Sequence, residues 1–235
     1  MALLLLAAPS FAYLKLPNGL DSDERKSVMK SIGFAGTTKY VSNGYMLGGY
    51  DGIEFSSQLE SISFSDVNHL SMTAIDQQNQ VLTRLGLAKG FYHNLEISLQ
   101  FIPFFLQTEM SGYSGSIKYS MYEDENIPVT IDVLLHGGGI NFGNLLGIQS
   151  AGMDFIVNYY KKYWSFYAGF GQTRIIGTFI GGNNGLTEDN QTATEDLGQN
   201  RVFAGMSYDF QTFQLGLQAE RFYETTGIVK IGKRF

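Results

Sequence analysis

The stretch "NLEISLQF", residues 94–101, alternates without a slip: Asn94, Glu96, Ser98 and Gln100 fall on one face, Leu95, Ile97, Leu99 and Phe101 on the other. Strict period two is the signature of an extended strand with two unlike faces. It recurs down the chain. Ile53, Phe55 and Leu59 oppose Glu54, Ser56, Gln58 and Glu60, and Tyr113, Ile117, Tyr119 and Met121 oppose Ser114, Ser116, Lys118 and Ser120. Val129, Ile131, Val133 and Leu135 oppose Thr130, Asp132 and His136, and Phe213, Leu215, Leu217 and Ala219 oppose Gln214, Gln218 and Glu220. Strand candidates lie near 50–63, 80–89, 94–105, 112–122, 127–139, 148–160, 163–176, 199–210, 213–223 and 227–235. Such a chain folds as an all-β barrel of about ten strands. The open question is whether its apolar faces look inward to a core or outward to lipid.

The connections bear on that question. Those at 64–79, 106–111, 140–147 and 177–198 read as longer than their neighbours at 90–93, 123–126, 161–162 and 211–212, with the short ninth connection, 224–226, the one exception. Alternate connections leave an up-and-down barrel at the same end, so long loops collect at one mouth and tight turns at the other. That is the pattern of a membrane barrel with extracellular loops and periplasmic turns. An even strand number then puts both termini on the short-turn side. Segments of about ten residues also suit tilted strands crossing a bilayer, and no run approaches the ~18–20 apolar residues of a spanning helix.

Composition favours lipid outside. Only 16% of the 235 residues are charged, against about 25% in soluble domains, while the chain holds 18 Phe and 14 Tyr. Aromatics gather near strand ends, at Tyr92, Phe104, Phe105, Tyr159, Tyr160, Tyr163 and Trp164; rings of this kind collect at membrane–water interfaces. A soluble barrel would have to pack all these rings inside and leave a surface poor in Lys and Glu. The polar faces therefore look into the bore. A net charge of −6 gives no footprint for nucleic acid, and without cysteine there is neither a disulfide nor a thiolate metal site.

The N-terminal part reads differently. "ALLLLAAPSFA", residues 2–12, has the length of a signal-peptide core and small residues at the positions a signal peptidase reads. A leader over 1–12 is expected, shortened at its start, since a positive n-region is missing. Residues 13–49 form an expected periplasmic segment. Within it Asp21 stands three positions before Glu24, a helix-start pairing, and Val28, Met29 and Ile32 share one helical face over about 22–32. The barrel is expected over 50–235.

With these features the chain resembles the bacterial outer-membrane β-barrels. The resemblance covers 50–235 with the exported leader in front, and its most specific token is the ending "GIVKIGKRF". Barrels of this class end in an aromatic residue with apolar residues at alternate upstream positions. Phe235, Ile231 and Val229 match, whereas Lys233 holds a place usually apolar. The resemblance implies that the barrel-assembly machinery reads this strand, and that outer-membrane lipid and that machinery are the partners of a monomer.

By alternation the inward face carries the acids Glu54, Glu60, Glu96, Asp132, Asp154, Asp209 and Glu220 and the bases Arg84, Lys118, Arg201, Lys230 and Arg234, with His136 beside them. The set is nearly balanced, with two acids in excess. About eight strands enclose only side chains and about sixteen leave a channel, so ten allow either a packed polar core or a narrow pore. Catalytic constellations are weak. His69-Leu70-Ser71 resembles the His and Ser of lipid A deacylase barrels but sits in a loop. Asp21-Ser22-Asp23 and Asp66…His69 superficially resemble omptin protease groups, yet the first pair precedes the barrel. The acid-rich loop 181–200 fits no calcium-loop spacing and reads as solvated and mobile. No catalytic, cofactor or metal residue is assigned. The expected role is structural, surface-interacting or narrowly permeable; the alternatives are a barrel hydrolase acting on lipid or peptide, and a soluble ligand-binding barrel.

Overall fold

In the computed structural model the described residues are 16–41, 47, 52–63, 70, 79–92, 94–103, 110–123, 128–183 and 185–235. The leader, Asp66, His69, Ser71, His93, Phe104 and Phe105 lie outside them. A helix, α1 (Ser22–Ile32), and a 3₁₀ turn (Gly33–Gly36) precede ten strands. These are β1 (Ile53–Ser63), β2 (Asn79–Phe91), β3 (Leu95–Ile102), β4 (Met110–Glu123), β5 (Val129–Phe142), β6 (Leu146–Lys161), β7 (Trp164–Phe179), β8 (Ala193–Phe210), β9 (Phe213–Arg221) and β10 (Thr225–Arg234). Each strand pairs antiparallel with its chain neighbours, and β10 returns to β1, with Ser57 opposite Ile231, to close the barrel. Closure leaves no sheet edge unpaired, which is what lipid demands of a backbone.

Two connections differ from expectation. The fifth, read as 140–147, is the tight turn 143–145, because Gly143 and Asn144 both adopt φ near +55° (54° and 58°), the left-handed pair that short hairpins require. The seventh shrinks to 180–192, since β7 and β8 run on to Phe179 and back to Ala193. The length asymmetry thus rests on the first, third and seventh connections.

The extra length of β5–β8 has a consequence for which face is wet. In the half near the short turns, the outward residues of β7 are Trp164, Phe166, Ala168 and Phe170, and those of β8 are Val202, Ala204, Met206, Tyr208 and Phe210. Nine residues of tilted strand span roughly 20–25 Å, the height of an apolar belt. Past it the outward side is mostly polar, with Gln172 and Arg174 on β7, Gln149 on β6, and Thr194, Asp196 and Asn200 on β8, Ile176 being the apolar exception on β7. The inward side inverts with it, becoming apolar: Ile140, Phe142, Leu146, Ile148, Ile175 and Phe179 are all buried. One wall therefore faces lipid outside and charge inside over half its length, then water outside and a hydrophobic core inside.

That core is completed by the N-terminal segment. Asp21 caps α1 in a reciprocal capping box with Glu24, and the helix buries Val28, Met29 and Ile32 against the extended wall. The described part of the expected periplasmic segment, 16–41, is therefore not set apart from the barrel. It begins at the long-loop mouth, where Leu20 donates to and accepts from the 180–192 connection (Leu20 N to Leu186 O, 2.7 Å; Glu188 N to Leu20 O, 3.3 Å). Residues 35–41 follow within the bore, and Leu47 lies at the other mouth, packed against Gly52. An even strand number places the start of β1 at the turn side, but the chain ahead of it runs back through the barrel. The driving force is the apolar face of α1, which only the extended wall can cover. The same packing corrects the reading of 181–200 as solvated: Leu186 and Thr187 are buried.

Candidate functional site in the bore

The residues placed inward by alternation all line the bore. Glu54, Glu60, Arg84, Glu96, Lys118, Asp132, His136, Asp154, Arg201, Glu220 and Lys230 are buried there; Asp209 and Arg234, near the turn mouth, are partly exposed. They meet in three groups. At the centre Arg84 donates to Glu60 (2.8 Å), and Arg201 donates to Asp154 (2.9 Å) and Glu220 (2.7 Å). His136 Nε2 lies 3.4 Å from Asp154. Toward the turns, Glu54 takes Lys230 (2.6 Å) and Arg234 (3.3 Å), and Arg234 also reaches Asp209 (3.3 Å). On the third side Lys118 pairs with Glu96 (3.3 Å), while Asp132 accepts from Ser120 (2.6 Å) and Asn158 (2.9 Å).

The N-terminal segment is woven into all three. Arg84 donates to the carbonyl of Ala35, Arg201 to that of Thr38 (3.2 Å) and Lys230 to that of Val41 (3.3 Å). Every third carbonyl of the segment thus takes a cation from the wall. Gln100 grips the backbone of Lys39 on both sides of its Cα, its Oε1 accepting from Lys39 N (3.3 Å) and its Nε2 donating to Lys39 O (2.7 Å). Thr38 adds a hydroxyl bond to the Gly115 carbonyl (3.2 Å). Charged donors on buried carbonyls are the stronger class of hydrogen bond.

One side chain reverses the exchange. Lys39 sends its ammonium into the central group, 3.1 Å from Glu60 and 2.5 Å from Glu220, with Phe222 5.0 Å beneath it. It is 1% exposed, a location tolerable for an ammonium only with partners of this kind. Reading the strands alone missed Lys39, because it lies in the segment set outside the barrel. Two signals pointed to it: the acid excess of the strand set, and one lysine in the otherwise uncharged "GFAGTTKYV". Tyr40, under Lys118 at 5.2 Å, and Val41 fill the remaining space with Leu134, Ile156 and Phe203. Cavities of about 20 Å³ remain beside Phe34 and beside Tyr40, each room for about one water. Where these groups meet, the described side chains pack the bore with paired charge.

Val229, Ile231 and Phe235 face outward, as does Phe55, whose ring meets that of Phe235 edge-on at 5.9 Å. Phe235 also exchanges backbone bonds with Ile53 (3.4 and 3.0 Å), so the last residue belongs to the closing seam.

No protein-family model and no curated relative matches the sequence. Among solved structures it is similar to the N-terminal β-barrel domain of Pseudomonas aeruginosa OprF (13% identity, 80% of this chain and 99% of that one, TM-score 0.38). It is also similar to Yersinia pestis Ail in complex with a heparin analogue (15%, 78% and 97%, 0.31) and to the translocator domain of Neisseria meningitidis autotransporter NalP (12%, 91% and 98%, 0.41). The fold rests on the chain's own strand pairing and outward apolar belt: it is a closed ten-stranded up-and-down antiparallel β-barrel with an apolar outer face.

Proposed function

We propose that the protein is a closed outer-membrane barrel, a structural and surface-presenting element that does not conduct solutes. The observation behind this reading is the filled bore, where Lys39 and the carbonyls of Ala35, Thr38 and Val41 consume the inward charges. A pore needs those charges free and hydrated. Among the described residues the one histidine, His136, has its side chain fully buried beside Asp154, so nothing there favours the hydrolase alternative. The long-loop mouth, with the polar outer face of β5–β8 standing beyond the apolar belt, is the part available to the surroundings.

Planar-bilayer recording tests it. Folded protein, inserted in amounts verified by recovery from the membrane, should give no stepwise ion current. Regular current steps from each inserted copy would overturn the closed-barrel reading.

A further inference from the structure

The N-terminal segment is anchored at three depths. At the long-loop mouth Leu20 is bonded to Leu186 and Glu188, Arg25 pairs with Glu195 at 2.7 Å, and Phe34 stacks on Phe222 at 4.4 Å. At mid-barrel the carbonyls of Ala35, Thr38 and Val41 take Arg84, Arg201 and Lys230. At the turn mouth Leu47 packs on Gly52. The described residues of the segment therefore lie at both mouths and at mid-barrel inside the bore, and β1 then crosses the belt again in the wall.

Which mouth is outside follows from the topology on which the proposed function also rests. Long connections and a water-facing strand extension mark the extracellular end; the two-residue turns at 162–163 and 211–212 mark the other. We infer that the segment crosses the membrane inside the barrel with its leading end at the cell surface, so that the protein carries part of its own N-terminal arm to the outside. Asn18 and Gly19 are exposed at that mouth, beside α1's first turn and the 180–192 connection. Gly19 has φ +75° and open space around it, which turns the chain from this exposed corner into α1. The arm's exposed corner is then part of the presented face, although chain order alone would leave it in the periplasm.

The chain contains no cysteine, so single replacements report position cleanly. Asn18→Cys, Asn190→Cys and Lys162→Cys would each be treated, on intact cells, with a maleimide too polar to cross the outer membrane. Asp23→Cys is a second probe of the arm, its native side chain being 95% exposed. Heat-modifiable gel mobility confirms that each variant is folded. Labelling at 18, 23 and 190, with 162 reacting only after permeabilisation, is the expected result. Labelling at 190 with 18 and 23 silent would overturn the inference and leave the barrel's orientation standing. Labelling at 162 alone would overturn the orientation, and the surface position of the arm with it.

Discussion

At the scale of single residues, the bore is organised around Lys39. Its ammonium serves Glu60 and Glu220, each of which also has a guanidinium partner, Arg84 or Arg201. Removing one member of a buried ion network leaves its partners under-compensated, at a cost of roughly 3–5 kcal/mol. Because both acids keep an arginine, Lys39→Met should cost about 3 kcal/mol, the low end of that range, measured by urea unfolding in micelles. Adding Glu60→Gln to it should recover part of the loss; a double variant worse than either single would refute the shared-charge account. Packing imposes a second constraint. A Cβ on Gly36 would lie 2.6 Å from Ile140 Cδ1. Gly36→Val should therefore destabilise by about 1–3 kcal/mol through overpacking, and Ile140→Ala in the same chain should give back some of that. Full additivity of the two losses would show that they do not touch.

At the scale of the element, β7 changes its surroundings partway along. Phe170 is 62% exposed within the apolar belt, Gln172 lies just past it, and Ile175 points inward at 0% exposure. An arginine in mid-belt costs roughly 2–4 kcal/mol, falling toward zero near the interface. Phe170→Arg should thus impair folding into bilayers, Gln172→Arg should be nearly silent, and Ile175→Arg should be the most damaging, by burying a charge without a partner. Equal effects at 170 and 172 would remove the belt's upper border. The stretch that alternates so strictly in β3 offers the complementary measurement. A spin label at Leu99, 60% exposed, should be reached by a lipid-soluble quencher, whereas one at the buried Gln100 should not. The strands themselves were legible because a half-buried strand writes its two faces into alternate residues. Their ends were less so: β7 and β8 continue past the belt with their polarity inverted, and alternation alone does not say which side is lipid.

At the scale of the whole molecule, barrel and arm share one ion network. Deleting residues 16–41 would strip Lys39 from Glu60 and Glu220 and open the apolar cluster of Ile140, Ile148, Ile175 and Phe179 to water. Such a variant should be much less stable. Where it still inserts, it should pass current with a preference for cations, since the acids of the bore then outnumber its bases. A folded deletion variant as silent as the full chain would mean that something other than the arm closes the bore.

The ten strands, their division into a polar and an apolar face and the helix at 22–32 with its capping box were legible in the sequence, because each depends on contacts within a few residues or on a period along the chain. That the polar face looks inward came from the low share of charged residues and the wealth of aromatics. Whether the bore is open was not decidable in the same way. That depends on a helix face whose cover is supplied by β5–β8, on Lys39 finding Glu60 and Glu220, and on carbonyls that any side chains could have flanked. A backbone carbonyl has no letter in the sequence, and a lone lysine names no partner. Only closure of the barrel around the segment brings Arg84, Arg201 and Lys230 to every third one of those carbonyls, because burial leaves the cations and the peptide groups no other way to replace the water they lose.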